Sequence, residues 1–352
     1  MPSDYGYINA RIKGWHSRLL TAGAVTEIAD LPDFPAFLKW MAAGPYAADW
    51  QLARARFEGL EAVEQALEAN FGQTTRRLLA VSDGAPRRLI GIMLRRWDLA
   101  NLKTVVRGIA RQHGSQEIAR NLWPAGNLVM VRLRELAQQR DLRGVADVLA
   151  TWRDPLAQPL IECLAGFDRD HDLVPVELAL DRFHFRDSLR RLRGPESNRS
   201  LMAGLLRREI DLANAKTARR LAGQAADQAR DPRAYVIDGG EVIDAEAVAE
   251  LLDPRTRSRR LRALRASPYH GYLAGTGDPV RLEDELDHSF WRHCARLYRA
   301  RPLAIDVAVG FIWRKQYELV NLRLLARSKF YGLPPEEIRS QLFLDVAGGR
   351  CG

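Results

Sequence analysis

The sequence is poor in cysteine and lacks any long apolar run. Its three cysteines, Cys163, Cys294 and Cys351, are odd in number and widely separated, so they indicate reduced thiols rather than a disulfide framework. The longest nearly uncharged stretch, residues 302–313, contains Asp306 and is far shorter than the roughly 20 apolar residues of a membrane-spanning helix. We therefore expect a chain that does not cross a bilayer by itself.

Disorder and secretion are also disfavoured. The 352 residues are 47% hydrophobic and 28% charged, which is enough apolar material to offset the entropy of ordering the chain. The opening MPSDYGY lacks the basic-then-apolar layout of a secretory signal, which favours a location on the cytosolic side. The net charge of +9 suits an acidic protein, an anionic lipid surface or a nucleic acid, and charge alone does not choose among them.

Motifs for nucleotide, metal or covalent chemistry are incomplete. Residues 275–278 lack the later glycine and the Lys-Ser/Thr pair of a phosphate-binding loop. Residues 168–172 have the carboxylate spacing of a calcium loop, but apolar residues occupy the positions of its glycine and its last glutamate. His288 and His293 are five residues apart, which does not align two zinc ligands on one helical face. We expect no cofactor, no metal and no catalytic residue.

A threefold internal repeat dominates the sequence. Residues 95–107, 208–220 and 315–327 share one order of charged residue, leucine, asparagine and base, and their asparagines lie 113 and 107 residues apart. Three units of that size nearly fill the chain. The repeated acid, asparagine and two bases are Asp98, Asn101, Lys103 and Arg107; Asp211, Asn214, Lys216 and Arg220; and Glu318, Asn321, Arg323 and Arg327.

Two further elements recur in step with the asparagines. A glutamate precedes each asparagine by 37 or 38 residues and is followed by a second acid four residues later. Two motifs that recur at the same spacing from each other are hard to obtain by chance. We interpret the acids as helix-surface or domain-interface groups rather than as catalytic acid/base pairs. The acid pairs are Glu64 and Glu68, Glu177 and Asp181, and Glu283 and Asp287; a weaker apolar pair opens each unit at Phe37-Leu38, Val148-Leu149 and Leu251-Leu252.

These repeated segments have helical periodicity. Apolar residues around each asparagine form one stripe, and the two bases, four residues apart, share another face. Strand signals are limited to residues 88–91 and 234–238. Chain breaks are expected at residues 124–140 and 231–240, and the last long helix is expected to run from near Pro302 to Gly332. We predict an all-α protein of three similar helical domains, residues 1–136, 137–240 and 241–352.

The repeated asparagine needs a physical reason. In a helix interior it costs about half a kcal/mol relative to alanine, so its recurrence predicts a buried hydrogen bond to a neighbouring helix or loop. The acid three residues earlier is within reach of a base one turn before it, at Arg95, Arg208 or Lys315. We interpret the repeated polar residues as structural anchors of the fold, because repeat proteins reuse packing solutions.

The chain also resembles a known family. Residues 5–13 (YGYINARIK), continuing to 17–20, are similar to the start of the C subunits of V-type (archaeal and bacterial A-type) ATP synthases, the counterparts of the eukaryotic d subunit. Residues 98–104 and 317–327 are similar to signatures of the same family, and the resemblance covers essentially the whole chain. Residues 14–16 depart from the pattern of many relatives, which leaves the fold assignment intact but affects a local contact.

The resemblance implies a non-catalytic, funnel-shaped, pseudo-threefold helical protein without a transmembrane segment. It would sit on the cytoplasmic face of the proteolipid rotor ring, receive the central shaft and transmit torque during ATP-linked transport of protons or sodium. Whether the complex works as a synthase or a pump stays open. Two other hypotheses also stay open: a basic helical-repeat protein that binds RNA or DNA, which the charge supports, and an unrecognised hydrolase.

Overall fold

The first third of the chain is helical. The computed structural model describes residues 5–223, 231–339 and 341–344. The asparagine-bearing segment of the first repeat lies on the last and longest of its helices. These helices are α1 (Tyr5–His16), α2 (Ala22–Ala29), α3 (Phe34–Ala43), α4 (Ala47–Arg54), α5 (Gly59–Ala80) and α6 (Gly84–Ala110).

The other two thirds follow the same plan of short helices and then two long ones. The middle helices are α7 (Ser115–Arg120), α8 (Met130–Ala137), α9 (Leu142–Thr151), α10 (Ala157–Asp170), α11 (Leu173–Arg191) and α12 (Ser197–Ala222). A 3-10 helix over Pro232–Tyr235 follows. The last helices are α13 (Ala245–Leu252), α14 (Pro254–Ala263), α15 (His270–Ala274), α16 (Pro279–Leu297), α17 (Asp306–Tyr331) and α18 (Pro335–Arg339).

The predicted all-α class is confirmed. No β-strand occurs in residues 5–223, 231–339 or 341–344, and the strand-like residues 88–91 lie within α6. The acid pairs lie on α5, α11 and α16, the asparagines on α6, α12 and α17, and the apolar pairs on α3, α9 and α13. Within the described parts of the chain, no helix combines the length and apolar character that a membrane span requires.

Two predicted boundaries were wrong. Helix α8 occupies part of the break expected over residues 124–140. Helix α17 begins at Asp306 and not near Pro302, because the Pro302 and Ala304 carbonyls accept hydrogen bonds from the Asn9 amide at 2.8 and 2.9 Å. The predicted stop is confirmed: Gly332 has φ of 67°, the left-handed conformation that ends a helix.

An aspartate starts the corresponding short helix in each repeat. The side chains of Asp33, Asp141 and Asp244 each accept a hydrogen bond of 2.8 Å from the backbone N–H three residues later, at the first turns of α3, α9 and α13. Such a cap satisfies an N–H group that has no partner inside the helix and contributes about 1 kcal/mol. The caps fix where these helices begin.

The chain divides into two compact units. The first comprises residues 1–94, 123–127 and 291–352, and the second comprises residues 95–122 and 128–290. In the first, α17 packs on α5, α1 and α3, around the fully buried Phe37, Tyr46 and Phe71. The second holds two apolar clusters, one centred on α9–α11 and one on α13 and α15. The three predicted domains stay a prediction.

Candidate functional site: repeat anchors and ion-pair seams

The repeated asparagines are buried. Asn101, Asn214 and Asn321 are 2%, 0% and 2% exposed. The Asn214 amide donates to the carbonyls of Ile237 (2.8 Å) and Ile243 (2.7 Å), and its oxygen accepts from the Ile237 N–H (2.9 Å). Helix α12 thereby holds the loop that leads towards α13.

Asn321 repeats this arrangement in the third repeat. Its amide donates to the Phe343 carbonyl and its oxygen accepts from the Phe343 N–H, both at 2.8 Å. The bound residue lies 22 positions after Asn321, and Ile237 lies 23 positions after Asn214. Two repeats therefore use the amide on equivalent backbone groups of the segment that follows the long helix.

In two of the repeats the acid of the motif also binds backbone that follows its own long helix. Asp98 accepts from the Leu128 N–H at 2.9 Å, and Asp211 accepts from the N–H groups of Val242 and Ile243 at 3.1 and 2.9 Å. Burial raises the pKa of Asp211, and these backbone hydrogen bonds partly counter it. The acid and the asparagine thus hold the same loop at two points.

The third repeat departs from this pattern. Glu318 accepts from Lys315 Nζ at 2.7 Å, from the Leu20 N–H at 2.6 Å and from the Tyr46 hydroxyl. The pair of Glu318 with the base one turn before it was therefore predicted correctly. The same prediction was wrong for Arg95, which binds Asp187 at 2.7 Å.

The two repeated bases of α6 face acids of the second repeat. Lys103 Nζ lies 2.8 Å from Asp181 and 3.6 Å from Glu177, and Arg107 forms a bidentate pair with Glu177. We call these four residues the first seam. Burial raises the pKa of Asp181. At Glu177 burial also acts to raise the pKa, but the hydrogen bonds and charges of Arg107 and Lys103 together outweigh it and leave the pKa lowered.

The second seam joins α12 to acids of the third repeat. Lys216 Nζ lies 2.8 Å from Asp287 and 3.0 Å from Glu283. Burial alone would lower the pKa of Lys216, but the hydrogen bonds and charges of these acids raise it. Arg220, the other base of this repeat, has no carboxylate partner among the residues that the structure describes; it lines a cavity of about 790 Å³ with Arg107 and Arg111.

The third seam joins α17 to acids of the first repeat. Arg323 binds Glu68 at 2.9 Å, and Arg327 binds Glu64 at 2.6 Å. The Arg323 guanidinium also lies 4.0 Å from the ring centroid of Trp123. Burial raises the pKa of Glu68 to about 8, although the positive charge of Arg323 acts to lower it. Burial also lowers the pKa of Arg323.

The seams follow one rule. The bases of the first, second and third repeats pair with the acids of the second, third and first repeats, respectively. The acids were predicted as interface groups, but their pairing with the repeated bases was not. Five of the six repeated bases consequently hydrogen-bond to an acid of another repeat, so these side chains are already engaged within the chain.

A buried charge cluster lies outside the repeat pattern. Asp187 is 3% exposed and accepts from Arg95, Arg190 and Arg191. Burial acts to raise its pKa, but these hydrogen bonds and the charge of Arg191 together outweigh burial and lower it. One turn away, burial and the charge of Arg95 lower the pKa of His184 to about 3, so the imidazole is neutral. The other repeats have no acid at the position of Asp187, so the repeat gave no signal for this cluster.

The segment weighed as a calcium loop forms an ordinary junction between two helices, and His288 and His293 lie within α16. Asp168 and Asp170 lie on α10, and the side chain of Asp172 caps α11 by accepting from the Val174 N–H at 2.9 Å. No group of three or more His, Cys, Asp and Glu side chains suited to a metal ion occurs in the described part of the chain. Cys351 lies outside the described residues.

Comparison with known proteins identifies a family. The model of the ATP synthase (C/AC39) subunit family matches residues 8–341. The chain is 29% identical to the C subunit of the V-type ATP synthase of Deinococcus radiodurans, over 97% of this chain and 92% of that protein.

Archaeal relatives are similar to a comparable degree. The C subunit of the A-type ATP synthase of Halorubrum lacusprofundi is 31% identical over 81% of this chain and 82% of that protein. The corresponding protein of Haloquadratum walsbyi is 28% identical over 96% and 98%. The similarity thus extends across all three repeats.

Proposed function

Since this chain belongs to the ATP synthase (C/AC39) subunit family, we propose that it is a non-catalytic part of a rotary ATPase, coupling the central shaft to the proteolipid ring in the membrane. In this role it transmits torque during ATP-linked transport of protons or sodium. It sits peripherally on the cytoplasmic face, held by the ring and shaft subunits.

The observation that carries the proposal is the rule followed by the seams. Equivalent positions pair the first repeat with the second, the second with the third and the third with the first. This supports the pseudo-threefold arrangement, in which a closed set of repeats surrounds a shaft. A coupling part must not absorb the twist, and densely packed helices cross-linked by partly buried ion pairs resist deformation.

The use of the polar side chains supports a non-catalytic role. Asp98, Asp211, Asn214 and Asn321 hold loop backbone, and five of the six repeated bases hold acids of another repeat. Groups engaged in this way are not available as nucleophiles or general bases. The same pairing weakens the nucleic-acid hypothesis, since five of the six repeated bases are not free to contact phosphates.

Removal of the chain from the assembled complex tests the proposal. We expect the complex without it to hydrolyse ATP in the head but to lose ATP-driven ion pumping into vesicles, and re-addition of the purified chain to restore pumping. The chain should also co-purify with the ring and shaft subunits. Full pumping by a complex that lacks the chain would refute the coupling role.

A further inference from the structure

Helix α14 and the two residues after it carry an unusual density of one charge. Residues 254–265 read PRTRSRRLRALR, with six arginines and no acid. No residue of α14 is buried. The seams account for most of the repeated bases, so this helix needs a separate explanation.

Two of the arginines fasten α14 to its surroundings. Arg257 donates to the carbonyls of Leu251 (2.9 Å) and Leu273 (3.0 Å), and Arg260 donates to the Val242 carbonyl (2.8 Å). The apolar Leu261 packs against the cluster around α13 and α15. One side of α14 is therefore fixed to the protein.

The other four arginines face solvent. Arg255, Arg259, Arg262 and Arg265 are exposed. At 3.6 residues per turn the three on α14 fall within a sector of about 60°, and Arg265 lies in the turn that follows the helix. We call them the arginine face. The side chains of Arg255 and Arg259 remain 89% and 68% exposed although each contacts an acid of the preceding helix end, at Asp253 and Glu250. Arg262 and Arg265 have no ion pair within the described ranges.

The surroundings of the arginine face favour one kind of partner. Between the arginines the exposed residues are small, Ser258, Ala263 and Ala266, and no exposed large apolar side chain lies on α14. At the centre of a stable protein interface, arginine occurs together with aromatic or apolar residues that are buried on binding, and this face has no such residues. A helix that inserts into a bilayer also needs an exposed apolar side, and here that side is already packed. The arginine face therefore suits adsorption of the protein to a negatively charged surface.

We propose that the arginine face of α14 binds anionic phospholipid headgroups at a membrane surface, by charge attraction and without insertion. Each arginine near such a surface contributes about 1 kcal/mol, which corresponds to about fivefold in partitioning, and salt screens the attraction within a Debye length. The inference rests on α14 alone and not on the proposed coupling role.

Vesicle co-sedimentation of the full chain tests this inference. We expect binding to vesicles of equal parts phosphatidylcholine and phosphatidylglycerol, weakening steeply with added salt, and no binding to phosphatidylcholine alone. The quadruple variant R255Q/R259Q/R262Q/R265Q should lose about fivefold for each arginine, and the quadruple lysine variant should retain binding because headgroup attraction depends on charge.

A matched control removes four exposed arginines elsewhere. The variant R54Q/R56Q/R77Q/R88Q changes the net charge equally and should bind nearly as well as the parent. Equal losses in the two glutamine variants would overturn the proposal, and so would loss in the lysine variant or tighter binding of the parent chain to a labelled RNA oligonucleotide. The vesicles hold no ring or shaft subunits, so co-purification of each variant with those subunits reports separately on the proposed function.

Discussion

At the scale of single residues, the anchor asparagine works because both ends of its amide bind the backbone of a loop. Asn214 makes three such hydrogen bonds and Asn321 makes two. A buried backbone group that loses its partner costs about 1–3 kcal/mol. This exceeds the small helix-propensity cost of asparagine, so the residue is favoured where a loop must be held against a helix.

We predict that Asn214→Ala lowers the free energy of unfolding by about 3 kcal/mol, because the N–H of Ile237 loses its acceptor in a buried site. Asn321→Ala should lower the free energy of unfolding by less, since it removes two hydrogen bonds rather than three. Urea denaturation followed by circular dichroism measures both. Arg207→Ala, at an exposed position of the same helix α12, is the control and should change stability by less than about 0.5 kcal/mol. An Asn214→Ala protein as stable as this control would contradict the anchor role.

Glu68 is a residue whose charge depends strongly on the fold. Its pKa is raised from 4.5 to about 8, chiefly by burial, so the folded protein holds a proton that the unfolded chain has released. Its contribution to stability is therefore complete below about pH 4.5 and is lost as the pH rises towards 8.

We predict that Glu68→Gln removes this pH dependence. The amide mimics the protonated acid, so the variant should gain stability relative to the parent as the pH rises from about 4.5 to about 8, and the difference should then level off. Unfolding free energies across this range measure the effect. Glu285→Gln, at an exposed acid on α16, is the control and should leave the pH profile of the parent unchanged. A constant difference between Glu68→Gln and the parent at all pH values would contradict the buried, protonated state.

At the scale of elements, the repeat predicted the long helices because periodicity and spacing are local properties. Which side chains meet across the seams could not be derived in the same way, since Arg107 and Glu177 are 70 residues apart and meet only once the helices pack. The constant spacing of 37 or 38 residues between glutamate and asparagine showed that acids and bases recur at equivalent positions of each repeat. It did not show that the acids of one repeat contact the bases of another. The departure at Glu318 depends on Tyr46 and Leu20, which lie in no repeated motif.

Helix α17 also depends on a close approach that periodicity does not reveal. A Cβ added at Gly310 would lie 2.4 Å from the backbone nitrogen of Tyr298, so only glycine fits. We predict that Gly310→Ala lowers the unfolding free energy by about 1–3 kcal/mol, because overpacking outweighs the better helix propensity of alanine.

Gly204 is the matched control for this substitution. It also lies inside a long helix, α12, but a Cβ there would meet no atom within 4 Å. Gly204→Ala should therefore raise stability by about 0.5–1 kcal/mol. Thermal and urea unfolding of the two variants should move in opposite directions, and the same sign for both would contradict the close packing at Gly310.

At the scale of the whole molecule, the third seam differs from the others in the length of chain it closes. Its partners are 255 and 263 residues apart, against 70 to 78 in the first seam and 67 and 71 in the second. By loop-closure entropy this costs about 1 kcal/mol more. This seam differs from the others in that Glu68 is more deeply buried and Arg323 contacts the ring of Trp123. The packing of these side chains offsets the added entropy cost of closing the longer loop.

Exchange of charges across the third seam tests whether its ion pairs hold the first and last repeats together. Arg327→Glu or Glu64→Arg alone places like charges together and should lower the unfolding free energy by about 1 kcal/mol, and the double exchange should recover most of that loss. The control is the same exchange at Arg143 and Asp168, a pair within the second repeat whose side chains are 65% and 62% exposed, where the coupling should be close to zero. If the two double-mutant cycles gave equal coupling, the ion pair of Arg327 with Glu64 would be an ordinary surface contact, and contact between the first and last repeats would depend on apolar packing and on the pair of Arg323 with Glu68.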